Sequence, residues 1–160
     1  MMERVDAVIK HPIFTYNMSN IEKAEKDRFF CKHGMEHVLS VARILYILVL
    51  QDGITVDKEL VYATAILHDI GRYEQYLNDV EHNEAGARLA GEILSDCGFS
   101  KSECERAVDA IRNHRRGSDE SDVFGRLLYK ADKLSRDCYR CKAESECYWD
   151  AEQKNMWVKY

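Results

Sequence analysis

The sequence has little proline, little glycine and no long hydrophobic run, and each of these shortages excludes a class of protein. One proline and eight glycines in 160 residues exclude collagen-like and low-complexity chains. No apolar run reaches the roughly 18 residues that a membrane-spanning helix needs. The first residues also lack the apolar core of a signal peptide. We therefore expect a cytoplasmic protein with no membrane partner.

An excess of positive charge is also absent. The 23 lysines and arginines are outnumbered by 28 aspartates and glutamates, so the net charge is −5, which does not favour a broad nucleic-acid-binding surface. The hydrophobic content of 46% is enough for a compact core. We expect one domain over residues 1–160, with its core at about 20–137 and a segment rich in Cys and Trp at 138–160 packed on it.

The apolar residues that are present recur at helical spacing, and no segment has the alternation of a strand. We therefore expect an all-α fold of about six or seven helices. Capping boxes predict helix starts at Ser19, for a helix that runs to about Phe30, and at Ser100. Asp57 is expected to cap a third helix, residues 73–81 to form a loop, and Gly117-Ser118 to end a helix.

Two polar residues, His68 and Asp69, lie where an apolar stretch ends and just before Gly71. Adjacent residues of a regular helix point about 100° apart, so this pair could share one metal ion only if the helix tightens or frays there. Gly71 would permit that distortion. A buried histidine capped by its neighbouring aspartate is the alternative.

Four more polar residues lie in or beside apolar helical patterns: His37, His82, His114 and Asp132. A single histidine on an apolar face is usually part of the core, but five helices that each offer imidazole or carboxylate indicate a common site. Such donors suit iron, manganese or zinc better than magnesium or calcium. Two buried aspartates without a cation would also be costly. The pattern predicts one or two divalent metal ions.

Three segments resemble the motifs of the HD superfamily of metal-dependent phosphohydrolases: 37–42, 67–72 and 130–133. The resemblance covers about residues 33–137. His82 and His114 are similar to the additional ligands of the two-metal branch, which includes bis-nucleoside tetraphosphatases. The resemblance implies an HD-type helical fold in which His37, His68, Asp69 and Asp132 hold one metal, and Asp69 bridges to a second metal held by His82 and His114.

The resemblance further implies hydrolysis of a phosphate ester or anhydride, expected to belong to a nucleotide, by a metal-bound hydroxide, with Asp69 as the catalytic residue. The cations Arg72, Arg115 and Lys133 lie next to ligands and are expected to bind phosphate, although helix-end cations are also favoured by the dipole. His33 is expected to face the substrate, to support a ligand or to cap a helix. The partner would be a phosphorylated small molecule, and a homodimer is left open.

Two alternatives to a hydrolase share the fold: a sensor that binds metal and nucleotide without turnover, and a di-iron oxygenase. The sequence also departs from the family. Arg72 stands where many members have Lys, and Arg115 follows His114 where the tetraphosphatases usually have a Thr-rich turn. These departures leave the substrate open.

Six cysteines are present, and in a reducing compartment they would be thiols or metal ligands. Cys138 and Cys141 have zinc-like spacing and Cys147 follows them, while Cys31 could supply a fourth ligand. A structural zinc and a set of buried, reduced thiols are the two interpretations.

Overall fold

The computed structural model describes residues 1–115 and 122–160, and in these ranges the chain forms eight α-helices and no strand. The helices are α1 Glu3–Lys10, α2 Pro12–Ala24, α3 Met35–Gln51, α4 Lys58–Leu67, α5 Arg72–Asn78, α6 His82–Asp96, α7 Lys101–Asn113 and α8 Val123–Leu134. The predicted all-α fold is confirmed. The helix end expected at Gly117-Ser118 lies outside the described ranges.

Helix α3 runs through the core because apolar residues cover most of its surface. It packs against α4 and α8, while α6 packs against α7. Helix α4 is buried nearly all round, from Leu60 and Val61 to Leu67. The chain that leaves its C-terminal end is therefore delivered into the interior, and the first residue there is His68.

Two of the three predicted helix starts are correct. Asp57 accepts hydrogen bonds from the first turn of α4, and Ser100 forms a capping box with Glu103 at the start of α7. The start at Ser19 is wrong, because Ser19 lies inside α2. That helix begins at Pro12, whose fixed φ favours the first helical position, and it ends at Ala24 rather than near Phe30.

The expected loop at residues 73–81 is largely helix α5, which ends where Asp79 adopts a left-handed conformation with φ of 55°. Helix α5 has no apolar stripe that the sequence could reveal. It is held by packing against α2 and α6, and the hydroxyl of Tyr76 donates a hydrogen bond to Glu25. Tertiary contacts rather than local periodicity form this helix.

The C-terminal segment 138–160 has two short 3-10 helices, Cys138–Arg140 and Glu144–Glu146. Its link to the helices runs through Asn155, whose side-chain amide donates to the backbone carbonyls of Lys133 and Arg136 at 2.7 and 3.1 Å. In the described ranges, no helix is both long and apolar enough to cross a membrane.

Candidate metal centre

All six predicted metal ligands are buried, and five helices bring them together at one place. His37 and His82 lie in the first turns of α3 and α6. His68 with Asp69 lies at the end of α4, His114 at the end of α7, and Asp132 in the last turn of α8. Helix ends are suitable sources because a side chain there can point along the helix axis into the space between helices.

The six residues form two clusters that share Asp69. In site A the ligand atoms of His37, His68, Asp69 and Asp132 lie within 4.8 Å of one another, and in site B those of Asp69, His82 and His114 do so. Oδ2 of Asp69 lies 3.1 Å from Nε2 of His68, whereas Oδ1 lies 3.4 Å from Nε2 of His82. One carboxylate thus turns an oxygen to each site.

The turn after α4 is tightened, as the adjacent His68 and Asp69 require. The amide of Ile70 donates to the carbonyl of Leu67, and that of Arg72 to the carbonyl of Asp69, so the hydrogen bonds span three residues instead of four. The helix is thus left at this point, and Nε2 of His68 and Oδ2 of Asp69 lie 3.1 Å apart, so both side chains reach site A.

Gly71 is needed for close packing rather than for an unusual backbone conformation, since its φ is −76°. A Cβ atom on it would lie 2.2 Å from the carbonyl oxygen of His82 and 2.4 Å from the amide nitrogen of Gly86. The expectation that Gly71 permits a distortion is therefore replaced by a different role. Its missing side chain lets the start of α6 bring His82 up to Asp69.

Backbone carbonyls orient two of the imidazoles. Nδ1 of His68 lies 2.7 Å from the carbonyl oxygen of Ala65, and Nδ1 of His114 lies 2.5 Å from that of Ile111. Because a carbonyl only accepts, each Nδ1 carries the hydrogen. In the neutral ring, Nε2 is then a free lone pair that faces the centre, the orientation that a metal-binding histidine needs.

Side chains orient the other two imidazoles. The hydroxyl of Ser135 donates to the carbonyl of Asp132 and lies 3.2 Å from Nδ1 of His37, from which it can accept. Nδ1 of His82 lies 3.1 Å from Oε1 of Gln75, which also accepts. All four rings are therefore fixed with Nε2 directed inward.

The donor atoms at the centre fit a metal ion. When His68 is neutral, Nε2 of His68, Oδ2 of Asp69 and Nε2 of His82 are buried without a hydrogen-bond partner in the described residues, which is costly for polar groups. Burial lowers the pKa of His68, but the carboxylates of Asp69 and Asp132 outweigh it and raise that pKa to about 10. A proton on His68 thus offsets part of the negative charge of the two carboxylates in site A. A metal cation could take the place of that proton.

In site B, by contrast, the pKa values of the histidines are lowered. Burial, followed by the charge of Arg72, lowers the pKa of His82 to about 3. Burial and the nearby His68 lower the pKa of His114 to about 4. Both imidazoles are therefore neutral at pH 7 and ready to bind a metal without losing a proton.

Three cations bond the ligand carboxylates directly. Nε of Arg72 lies 2.9 Å from Oδ1 of Asp69, and Nζ of Lys133 lies 2.7 Å from Oδ2 of Asp132. Nη2 of Arg136 lies 3.3 Å from Oδ1 of Asp132 and 3.0 Å from Nε2 of His37. The sequence reasoning missed Arg136, although its position just after α8 and four residues after Asp132 was an available signal.

Two other residues that were expected to bind the substrate, Arg115 and His33, lie further from the ligand carboxylates. Arg115 is half exposed and pairs with Glu81. His33 is buried, and its Nδ1 lies 2.5 Å from Oε1 of Glu25, so Glu25 is a supporting residue that the sequence did not reveal. The ring of His33 packs edge to face on His37, with 5.7 Å between the ring centres.

A cavity of about 150 Å³ opens beside site A, and we call it the basic cavity. Its lining includes Asp132 and five cations, Arg28, Arg72, Lys133, Arg136 and Lys154, together with three aromatic residues, Phe30, Tyr148 and Trp149. Segment 138–160 therefore forms one wall of it. A larger depression of about 530 Å³ reaches His37 from another side, and its lining has four carboxylates, from Glu22, Glu25, Glu36 and Asp137, and three cations, from Lys32, Arg136 and Arg140.

The basic cavity is also bordered by four thiols, those of Cys31, Cys138, Cys141 and Cys147. In the described ranges, sites A and B are the two clusters in which three or more ligand atoms lie within 4.8 Å of one another, and neither contains a cysteine. The four sulfurs thus border a common space, and no three of them lie within 4.8 Å of one another.

Comparison with known proteins agrees with this geometry. The profile of the HD domain matches residues 34–137, the range that holds all six ligands. An uncharacterized protein of Clostridium beijerinckii is 39% identical over 159 residues, which cover 99% of this chain and 100% of the relative. The crystal structure of a predicted HD superfamily hydrolase from an uncultured Thermotogales bacterium matches with a TM-score of 0.63 and 26% identity, over 89% of this chain and 81% of that one.

Proposed function

Because the chain belongs to the HD domain family, we propose that it is a metal-dependent phosphohydrolase that cleaves a phosphate ester or anhydride of a nucleotide. The observation that carries this proposal is a buried cluster of His and Asp ligand atoms, one member of which, Asp132, lines the basic cavity. The likeness to a predicted HD superfamily hydrolase supports hydrolysis as the reaction.

The two clusters divide the metal-binding residues between them. His37, His68, Asp69 and Asp132 would hold one divalent ion, and Asp69 with His82 and His114 a second, with iron, manganese and zinc as the candidates. A divalent ion in such a site lowers the pKa of coordinated water toward about 7. Asp69 is the residue on which both sites depend, because each of its oxygens faces one of them.

The cations beside the ligands would bind the phosphate. Arg72, Lys133 and Arg136 now neutralise the carboxylates of Asp69 and Asp132. A metal ion would take over much of that neutralisation, and the same donors could then turn to the equatorial oxygens of a phosphoryl group. Phosphoryl transfer needs cationic donors at this place because the charge is spread over those oxygens.

The lining of the basic cavity supports a nucleotide over a simple phosphate ester. Phe30, Tyr148 and Trp149 offer aromatic surface on which a base could stack. Nζ of Lys133 already lies 5.8 Å from the centre of the Trp149 ring, so a phosphate-binding cation and an aromatic surface adjoin. The larger depression has more carboxylates than cations in its lining and is therefore the less favourable place for a phosphate.

Two residues have proposed roles at the edges of the site. His33 lines the basic cavity with its ring fixed by Glu25, and we expect it to contact the substrate. Arg115 pairs with Glu81, the residue that precedes His82 of site B. From this position we expect it to act on a distal phosphate.

The test is release of phosphate or nucleotide from a panel of mononucleotides, deoxynucleotides and dinucleoside polyphosphates. The protein would be purified without oxygen and reloaded with iron or manganese, with Asp69→Ala as the control that removes the shared ligand. Turnover of one substrate class, lost in Asp69→Ala with the fold retained, is the expected result. Unchanged turnover in that variant contradicts the proposal, and tight nucleotide binding by fully metallated protein without turnover favours the sensor.

A further inference from the structure

Segment 138–160 holds its position with almost no hydrophobic core. Of these 23 residues, all of which the structure describes, only Ala143 and Asn155 are buried, whereas Tyr148 and Trp157 are 90% and 80% exposed. Short segments that cannot bury enough apolar surface are usually held by disulfides or metal sites. No disulfide is present, since all six cysteines are free.

Four of the six cysteines converge on the basic cavity from distant parts of the chain. Cys138, Cys141 and Cys147 lie on the segment itself, and the backbone amide of Cys141 donates to the carbonyl of Cys138 across a 3-10 turn. Cys31 lies on the loop before α3. That loop is tied to the end of α8 because Nη1 of Arg136 donates to the carbonyl of Lys32 at 3.0 Å.

The four thiols differ in exposure: those of Cys31 and Cys141 are exposed, and those of Cys138 and Cys147 are partly buried. As thiolates they would repel one another unless a positive group lay between them. The ammonium of Lys154 lines the same cavity but pairs with Glu144, at 2.7 Å, so a bound metal group would supply the charge that four thiolates need.

The spacing of the sulfurs favours a cluster over a single ion. Sulfurs about 2.3 Å from a tetrahedral zinc lie only about 3.8 Å from one another. In this structure no three cysteine sulfurs among the described residues lie within 4.8 Å of one another. An iron–sulfur cubane needs a wider cage, because four irons and four sulfides lie between its four cysteine ligands.

We infer that Cys31, Cys138, Cys141 and Cys147 hold a [4Fe–4S] cluster that fastens segment 138–160 to the loop before α3. The inference rests on the convergence of four thiols on one cavity, on their separation and on the missing core of the segment. These cysteines share the lining of the basic cavity with the proposed phosphate-binding cations, but the assay for the cluster does not require hydrolysis at sites A and B. The cluster would hold Trp149 and Tyr148 as the wall of the basic cavity.

The test uses the full chain, produced in iron-supplemented cells and purified without oxygen. We expect about four irons and four acid-labile sulfides per chain in the cubane, with broad visible absorption that dithionite bleaches. Cys31→Ser and Cys141→Ser should each lose most of the sulfide. Cys97→Ser and Cys104→Ser are the matched controls, because these thiols lie near the α6–α7 connection and not on the basic cavity, and they should keep it.

The content of acid-labile sulfide distinguishes this site from the His and Asp centre, because that centre has no sulfide ligand. Asp69→Ala should therefore lower the iron content and leave the sulfide unchanged. Wild-type protein with zinc on these thiols and no sulfide overturns the inference, and so does wild-type protein with no metal on them. Unchanged sulfide in Cys31→Ser overturns the four-cysteine assignment. If the serine variants fold poorly, the sulfide content of the wild-type protein still decides.

Discussion

Gly71 lies where the start of α6, which carries His82 of site B, packs directly on the backbone that follows Asp69. An alanine there would meet the backbone of His82 and Gly86, which cannot move aside as a flexible side chain could. We expect Gly71→Ala to lower the free energy of unfolding by at least about 2 kcal/mol. It should also weaken site B by moving His82 away from Asp69.

Urea unfolding and metal titration would measure both effects. Gly91→Ala is the matched control, since Gly91 lies inside α6 and a Cβ there would meet only the side chain of Val108, at 3.3 Å. Alanine is favoured over glycine in a helix by about 1 kcal/mol, so this control should be neutral or stabilising. Equal destabilisation by the two variants would refute the role assigned to Gly71.

Arg136 is the residue whose replacement best tests the phosphate-binding role of the basic cavity. We expect Arg136→Gln to lower kcat/KM by roughly 10- to 100-fold, because a hydrogen bond to a charged group contributes about 1.5–3 kcal/mol. Steady-state kinetics on the substrate found in the panel would measure this. Metal content should be retained, since Arg136 is not a ligand.

Arg140→Gln is the control for the loss of one positive charge. Arg140 lies four residues further on, and its exposed side chain pairs with Asp137. If kcat/KM falls equally in the two variants, the effect of Arg136 is only one of net charge, and the proposed phosphate contact is wrong.

At the scale of the elements, Glu25 joins α2, the loop before α3 and α5, because its carboxylate accepts hydrogen bonds from His33 and Tyr76. Burial raises the pKa of Glu25, but these hydrogen bonds outweigh it and lower the pKa to about 2, from an ordinary value of 4.5. Since the folded-state pKa is the lower one, the resulting stability is present above about pH 4.5 and is lost as the pH falls toward 2.

Glu25→Gln should therefore destabilise the protein at pH 7, by on the order of 1–3 kcal/mol. The difference from wild type should shrink at pH 3, where the unfolded wild-type chain is already protonated at this position. Urea unfolding at the two pH values measures it, with the exposed Glu92→Gln as control. A difference that does not depend on pH would mean that the carboxylate charge is unimportant.

The helices that the sequence predicted well are those with local signals at their ends. Asp57 and Ser100 cap their own helices, so neighbouring residues were sufficient evidence. Helix α5 was missed because contacts with other elements hold it. The HD fold could be anticipated from the resemblance of three motifs to that family, and the inward-facing polar residues because a polar residue in an apolar stripe is conspicuous. Glu25 could not be anticipated, because a charged residue outside such a stripe is typical of a surface, and for Arg136 the spacing from Asp132 was the available signal.

At the scale of the whole molecule, metal binding should stabilise the fold, since the six ligands join five helices. We expect saturating Mn²⁺ to raise Tm by on the order of 10 °C, measured by differential scanning fluorimetry. The rise should be larger at pH 8 than at pH 6, because the pKa of His68 is about 10 and the proton that the ion displaces is released more easily at higher pH.

Asp69→Ala is the control for the thermal shift, since it removes the residue that both sites share. It should show little rise in Tm at either pH. An equal rise in that variant would mean that manganese stabilises the protein by binding elsewhere, and a rise that is independent of pH would contradict the protonation of His68.

The cations bonded to the ligand carboxylates also bear on how the protein is synthesised. Arg72 follows Asp69 by three residues, and Lys133 and Arg136 follow Asp132 by one and four. Each carboxylate thus leaves the ribosome together with its own counterion, whereas site A is incomplete until Asp132 has been added. We therefore expect folding to bury both acids before any ion arrives, so that a metal could be acquired after translation without unfolding of the chain.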